Sequence, residues 1–165
     1  MKRVLVLTVV ALGAFALAEV IAAGAKGAGT VKADDGRIGY FGFRTVKTTS
    51  GSAVKFEGSL GFVQSNSATS SPQAAIYMPL PTRLDATANV CVFSGPGVLL
   101  RKNASGQEEE LRGQVQCRVA DNRKPTTVGT PDRFLVRFIR NGVQVYGFSG
   151  SVVRGDLEVF TRIIQ

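Results

Sequence analysis

The chain has 165 residues, 44% of them hydrophobic and 19% charged, with 20 Lys and Arg against 12 Asp and Glu and a formal net charge of +8. That is enough chain for one modest domain, and the apolar share is too high for a disordered one. With no His, the commonest general base and the commonest metal ligand are both missing.

Lys2 and Arg3 precede an uncharged run from Val4 to Ala18, and Ala23-Gly24-Ala25 then offers a small-x-small cut site before Lys26. This is the layout of a secretory signal peptide over residues 1–25. Two alternatives stay open: an earlier cut after Ala16-Leu17-Ala18, and an uncleaved anchor, because the run is long enough to cross a bilayer. Glu19 interrupts the run, and no Cys near the cut site supplies a lipid anchor. Residues 26–35 are Gly/Ala-rich and polar and read as a flexible lead-in, which leaves residues 36–165 as a single β domain.

From Gly36 onward the pattern alternates with period two and no helix is expected. Val54, Phe56, Gly58, Leu60 and Phe62 form one face, opposite Lys55, Glu57 and Ser59. Ser65 to Gln73 reads as a loop. Ala74, Ile76 and Met78 start a run that Pro79 and Pro81 end. Leu84, Ala86, Ala88, Val90 and Val92 read as one continuous face, followed by a turn at Ser94-Gly95-Pro96-Gly97. Leu111, Gly113, Val115, Cys117 and Val119 oppose Arg112, Gln114, Gln116 and Arg118. Asn141-Gly142, between Phe134–Arg140 and Val143–Tyr146, is a two-residue hairpin signal, since both central positions need positive φ. Arg154-Gly155-Asp156 reads as a further turn before the last strand. The expected fold is all-β, an antiparallel β-sandwich or barrel of about eight to ten short strands.

Cys91 and Cys117 both lie in strand-like contexts. In an exported chain two cysteines are expected to pair, a bridge worth about 3–4 kcal/mol for such a loop. The competing reading is two buried thiols packed as small hydrophobes. Neither cysteine has a His partner or a C-x-x-C context, so neither reads as catalytic.

Several segments taken together resemble the post-COAP type of secreted bacterial β domain. They are Gly39-Tyr40-Phe41-Gly42-Phe43, Gly58-Ser59-Leu60, Phe93-Ser94-Gly95, Val119-Ala120-Asp121-Asn122, Pro131-Asp132-Arg133-Phe134 and Gly155-Asp156-Leu157-Glu158-Val159. The resemblance spans most of Gly36 to Phe160. It implies a β module of an exported bacterial protein and carries over no catalytic residue. The cysteine pair lies outside it.

Ser52-Ala53-Val54-Lys55 matches S-x-x-K, but a strand start puts positions i and i+3 on opposite faces, and no K-T-G or S-D-N follows. Asp34-Asp35-Gly36, Asp121-Asn122 and Asp132 offer oxygen ligands without calcium-loop spacing and read as turn residues. Asp132 is expected to pair with an Arg or to accept backbone N–H bonds. Asn103-Ala104-Ser105 is a glycosylation sequon, and Arg154-Gly155-Asp156 spells an adhesion tripeptide with ordinary turn chemistry.

The basic excess falls in the second half of the chain: Arg101, Lys102, Arg112, Arg118, Arg123, Lys124, Arg133, Arg137 and Arg140, offset by Glu108-Glu109-Glu110. Arg112, Arg118, Arg137 and Arg140 are the candidate contacts to an anionic polymer. The sequence therefore points to an exported, non-catalytic β module without metal or cofactor, secreted or at the cell envelope. Its expected partners are an anionic envelope polymer or another envelope protein, and export disfavours nucleic acid. Two other readings remain. One is a small apolar ligand inside a barrel lined by Phe41, Phe43, Phe56, Phe62, Phe134 and Phe138. The other is a hydrolase with a facing carboxylate pair.

Overall fold

A computed structural model describes residues 19–66, 72–122 and 129–164. Residues 1–18, which carry the charged and apolar parts of the expected leader, lie outside the described residues, as do Arg123 and Lys124. The described strands are β1 (Val20–Lys32), β2 (Ile38–Ser50), β3 (Ala53–Ser65), β4 (Pro72–Met78), β5 (Arg83–Ala86), β6 (Val90–Lys102), β7 (Glu108–Ala120), β8 (Arg133–Arg140) and β9 (Val143–Ile164). All pairings are antiparallel, in the order β4-β3-β2-β1-β9-β8-β7-β6-β5. A further pairing of β4 with β6 closes the sheet into an eight-stranded barrel, with β5 as an extra strand. The fold is all-β, as its alternation requires, but its main strands are long: β1, β2, β3, β6 and β7 have 13 residues each and β9 has 22.

Period-two alternation decides what goes inside. Phe41 and Phe43 of β2, Leu60 and Phe62 of β3, Ile76 and Met78 of β4, and Val115, Cys117 and Val119 of β7 are all buried. Phe134, Val136 and Phe138 of β8 meet them from across the barrel. Phe41 stacks on Phe134 with ring centroids 4.7 Å apart, Phe62 on Phe134 at 5.6 Å, and Phe148 tilts against Phe62 at 5.0 Å. The hairpin is as expected: Asn141 and Gly142 join β8 to β9 with φ of 52° and 78°.

One strand face and two turn readings need correction. The face expected to run from Leu84 to Val92 breaks at Thr87–Asn89, where Thr87 N–H donates to Val90 O over 2.8 Å. Three residues between β5 and β6 invert the parity, so Cys91 and Phe93 point inward while Val92 is 42% exposed. Ser94-Gly95-Pro96-Gly97 is not a turn but the middle of β6, where its partner changes from β5 to β4. Ser94 O accepts from Thr82 N–H on that side, so Pro96, at the same parity, has its missing N–H in the gap between the two partners. Arg154-Gly155-Asp156 lies inside β9, beside a register shift between Thr30 and Val31 on β1. Gly155 has φ +91°, and a Cβ there would stand 2.2 Å from Ala28 O, so this is a bulge against β1 rather than an exposed tripeptide loop.

The strand structure also reaches further toward the N-terminus than the expected β domain. Residues 26–35 are not a flexible lead-in: Lys26 to Lys32 are paired on both sides, with β2 and with β9, and the turn after them is closed by Gly36 N–H to Ala33 O at 3.0 Å. The same strand reaches back to Val20, so Val20 to Ala25, assigned above to a leader ending at Ala25, pair with Thr45–Ser50 of β2 and with Val159–Ile164 of β9. Ala25 is fully buried, and a Cβ on Gly24 would stand 2.1 Å from Thr45 O. A chain beginning at Lys26 should therefore be less stable than one beginning at Glu19 by about 3 kcal/mol or more, at about 1 kcal/mol per lost ladder hydrogen bond. Urea unfolding of the two chains, followed by circular dichroism, checks this.

Candidate functional site

The outer surface of β7 and β8 follows from the same alternation that fills the barrel. With Val115, Cys117 and Val119 inward, Gln116 and Arg118 point out, and with Phe134, Val136 and Phe138 inward, Arg133 and Arg137 point out. The register pairs Arg118 with Leu135, Gln116 with Arg137 and Ala120 with Arg133. Arg118 is thus the diagonal neighbour of both Arg133 and Arg137, a spacing of about 7–8 Å. Among the described residues none of the three lies within 4.0 Å of a carboxylate, whereas Arg37, Arg83, Arg101, Arg112 and Arg162 each do. Arg133 donates to Ser151 Oγ at 2.9 Å. At water-like dielectric each such repulsion costs only about 0.5 kcal/mol, which a stable barrel tolerates and a bound anion would reverse.

Of the four arginines singled out from the sequence, the fold brings Arg118 and Arg137 together. Arg112 shares the strand of Arg118 and its solvent face, but lies six positions from it with its Nε 3.4 Å from Glu110. Arg140 is exposed at the end of β8, beside the hairpin. Arg133 was named only as part of the general basic excess. Its place beside Arg118 depends on the β7–β8 register, which nothing in the sequence specifies.

A second surface feature was missed altogether. On the outside of β2, β3, β4 and β6, Tyr40 pairs with Val63, Val63 with Ala75 and Ala75 with Leu100. In the next row Gly42 pairs with Gly61, Gly61 with Tyr77, Tyr77 with Val98, and Val98 with Arg112 of β7. These rows line a depression of about 390 Å³, with Tyr40 40% and Tyr77 54% exposed. Only the β4–β6 closure puts Tyr77 and Val98 side by side, so alternation along single strands could not have found it.

Other candidate groups serve the fold. Asp35 accepts from the Arg37 backbone N–H at 3.1 Å and pairs with its guanidinium at 2.7 Å, and these contacts hold its carboxyl below the usual range. Asp132 is fully buried and accepts from Asn122 N–H at 2.9 Å, the second of the two roles expected of it. Asp121 accepts from Val159 N–H at 3.4 Å. The sequon residue Asn103 turns its Oδ1 inward to the N–H groups of Ser105 and Gln107, both at 3.0 Å. Ser52 lies in the β2–β3 turn, and Lys55 pairs with Glu57. At one end of the barrel Gln64 Oε1 accepts from Tyr146 Oη at 2.6 Å and from Arg37 at 3.3 Å, and burial pushes the Tyr146 phenol up.

The expected disulfide is absent: Cys91 and Cys117 are both free and buried. Cys91 pairs with Val119 and Cys117 with Phe93, which makes the cysteines diagonal rather than facing. Diagonal neighbours sit about 7–8 Å apart, at or beyond the reach of a bridge. Burial pushes the Cys91 thiol up to about 12 and that of Cys117 well above its ordinary value. An aromatic disulfide reagent should find no thiol in the native protein at pH 8 and two after denaturation. Because the folded values are raised, the stability linked to both thiols is complete below pH 9 and is lost as pH rises from there towards 12. Denaturant midpoints at pH 8, 9.5 and 10.5 should fall in that order.

Comparison with protein-family models, with curated proteins and with solved structures returned no match.

Proposed function

We propose that this protein is an exported, non-catalytic β-barrel whose arginine-bearing outer surface on β7 and β8 binds an anionic polymer of the cell envelope. One juxtaposition supports it: Arg118, flanked diagonally by Arg133 and Arg137, with no carboxylate within 4.0 Å of any of them among the described residues. Their charge is left to the solvent, where an anionic chain of repeating groups can engage all three at once. The barrel interior is apolar and the outside of β7 is Arg112, Gln116 and Arg118, the reverse of the distribution in a lipid-facing barrel. No helix among the described residues is long and apolar enough to cross a membrane.

Export, in this reading, uses the earlier cut site after Ala18, because β1 needs every residue from Val20. The alternatives gain less. Phe41, Phe62 and Phe134 stack on one another where an internal ligand would lie, and Phe56 is only partly buried. Asp35, Glu57, Asp85, Glu109, Glu110 and Glu158 each stand beside a Lys or Arg, not facing a second acid as carboxylate-pair hydrolysis requires.

The test is salt-dependent retention on immobilised polyuronate and on anionic vesicles. Reversing two exposed charges (Arg118→Glu with Arg137→Glu) should weaken retention about tenfold and flatten its dependence on salt, with thermal melting unchanged. Equal retention of wild type and double variant would remove the proposal.

A further inference from the structure

Most glycines of this barrel fall into two groups. At Gly24, Gly58, Gly97, Gly113 and Gly150 a Cβ would stand between 1.8 and 2.5 Å from another atom, so close approach of the chain demands glycine. In the turns at Gly36, Gly51, Gly106 and Gly142 there is space, but φ is positive. Gly42 and Gly61 satisfy neither condition. Both lie inside long strands, φ is not positive at either, and the β2–β3 register runs through them without a shift. A Cβ on Gly42 would meet nothing within 4 Å, and one on Gly61 only Gly42 O at 3.9 Å.

Glycine inside a strand weakens it through chain entropy and lost side-chain packing. It is retained for a bulge, a tight bend or the close approach of a ligand or another backbone. No register shift marks a bulge here, and nothing within the described residues approaches. The bare pair leaves room for an occupant from outside. Gly42 and Gly61 face each other directly, so their bare backbone forms a floor two strands wide, with the exposed Tyr77 directly beside Gly61 and the exposed Tyr40 diagonal to it.

We infer that this trough is a subsite for a pyranose ring of an acidic polysaccharide. A sugar ring offers a flat, largely C–H face to the floor and to the tyrosine rings, and hydroxyls at its edge to the phenol oxygens. The charge of the surroundings selects an acidic chain. The Gly42–Gly61–Tyr77–Val98 row ends on Arg112 of β7, and Arg118 and Arg137 lie further round the barrel, on the outside of β7 and β8. Among the described residues of β7, Glu108 and Glu110 are the opposing charges on that outer face, and both are exposed. The inference rests on the polyanion reading above and narrows it from any anionic surface to a glycan.

The experiment measures binding of the full folded protein to polygalacturonate and to phosphatidylglycerol vesicles at fixed ionic strength. The variants are Gly42→Val with Gly61→Val, and Arg118→Glu with Arg137→Glu. Valine suits a strand and has room here, so the glycine variant should melt at or above the wild-type temperature. It should bind polygalacturonate at least about tenfold more weakly while leaving any vesicle binding untouched. Normal polygalacturonate binding by the glycine variant, with loss in the arginine variant, overturns the trough and leaves the arginine surface standing. Wild-type binding to vesicles but not to polygalacturonate does the same. Binding to neither probe overturns both. Should the double valine variant melt low, Gly61→Ala and Tyr77→Ala, read separately, carry the same two outcomes.

Discussion

Four residue pairs hold this fold in its closed form: Ala74 to Tyr77 of β4 against Arg101 to Val98 of β6. Without them the sheet would be open, with β4 an unprotected edge and the phenylalanine core exposed on one side. With them every main strand has two neighbours, and Phe41, Phe62, Phe134 and Phe148 enclose one another. The closure needs β6 to serve two partners along its length. Pro96 makes that change possible, because it removes a donor where neither partner could have accepted.

Closure also sorts the glycines. A barrel of this size, filled with large aromatic rings, forces strands close together, and most strand glycines stand where a backbone oxygen would otherwise collide with a Cβ. Gly42 and Gly61 are informative because they lie outside that demand. A surface bare without an internal cause, bordered by two tyrosines and leading to arginines, is easier to understand as a place where something lies than as part of the fold. The aligned charges on β7 and β8 have the same character. Most acids of the described surface are spent on a neighbouring Lys or Arg, and none is placed against Arg118 or Arg137.

Alternation made several inward faces legible: positions such as Phe62 and Ile76, the Leu111–Val119 face, and Phe134, Val136 and Phe138 on β8. The Asn141-Gly142 hairpin was legible because two adjacent positive φ angles restrict residue choice sharply. Glycine elsewhere was misleading. Gly95, Gly97 and Gly155 look like turn residues in a linear reading, yet they sit mid-strand where another chain segment crowds them. The same ambiguity hid β1, whose small residues Ala22, Gly24 and Ala25 suit a peptidase and a tightly packed strand equally well.

The sequence by itself determined the all-β class, the inward faces of most strands and one hairpin, because side-chain alternation and turn chemistry act between near neighbours. Tertiary structure decided which arginines meet, that Cys91 and Cys117 miss one another by two residues of register, and that Tyr40 and Tyr77 border a bare floor. Each of these depends on the relative shift of strands far apart in the chain. Alternation constrains that shift only to the nearest two residues, and the packing of the whole barrel selects among the registers that remain.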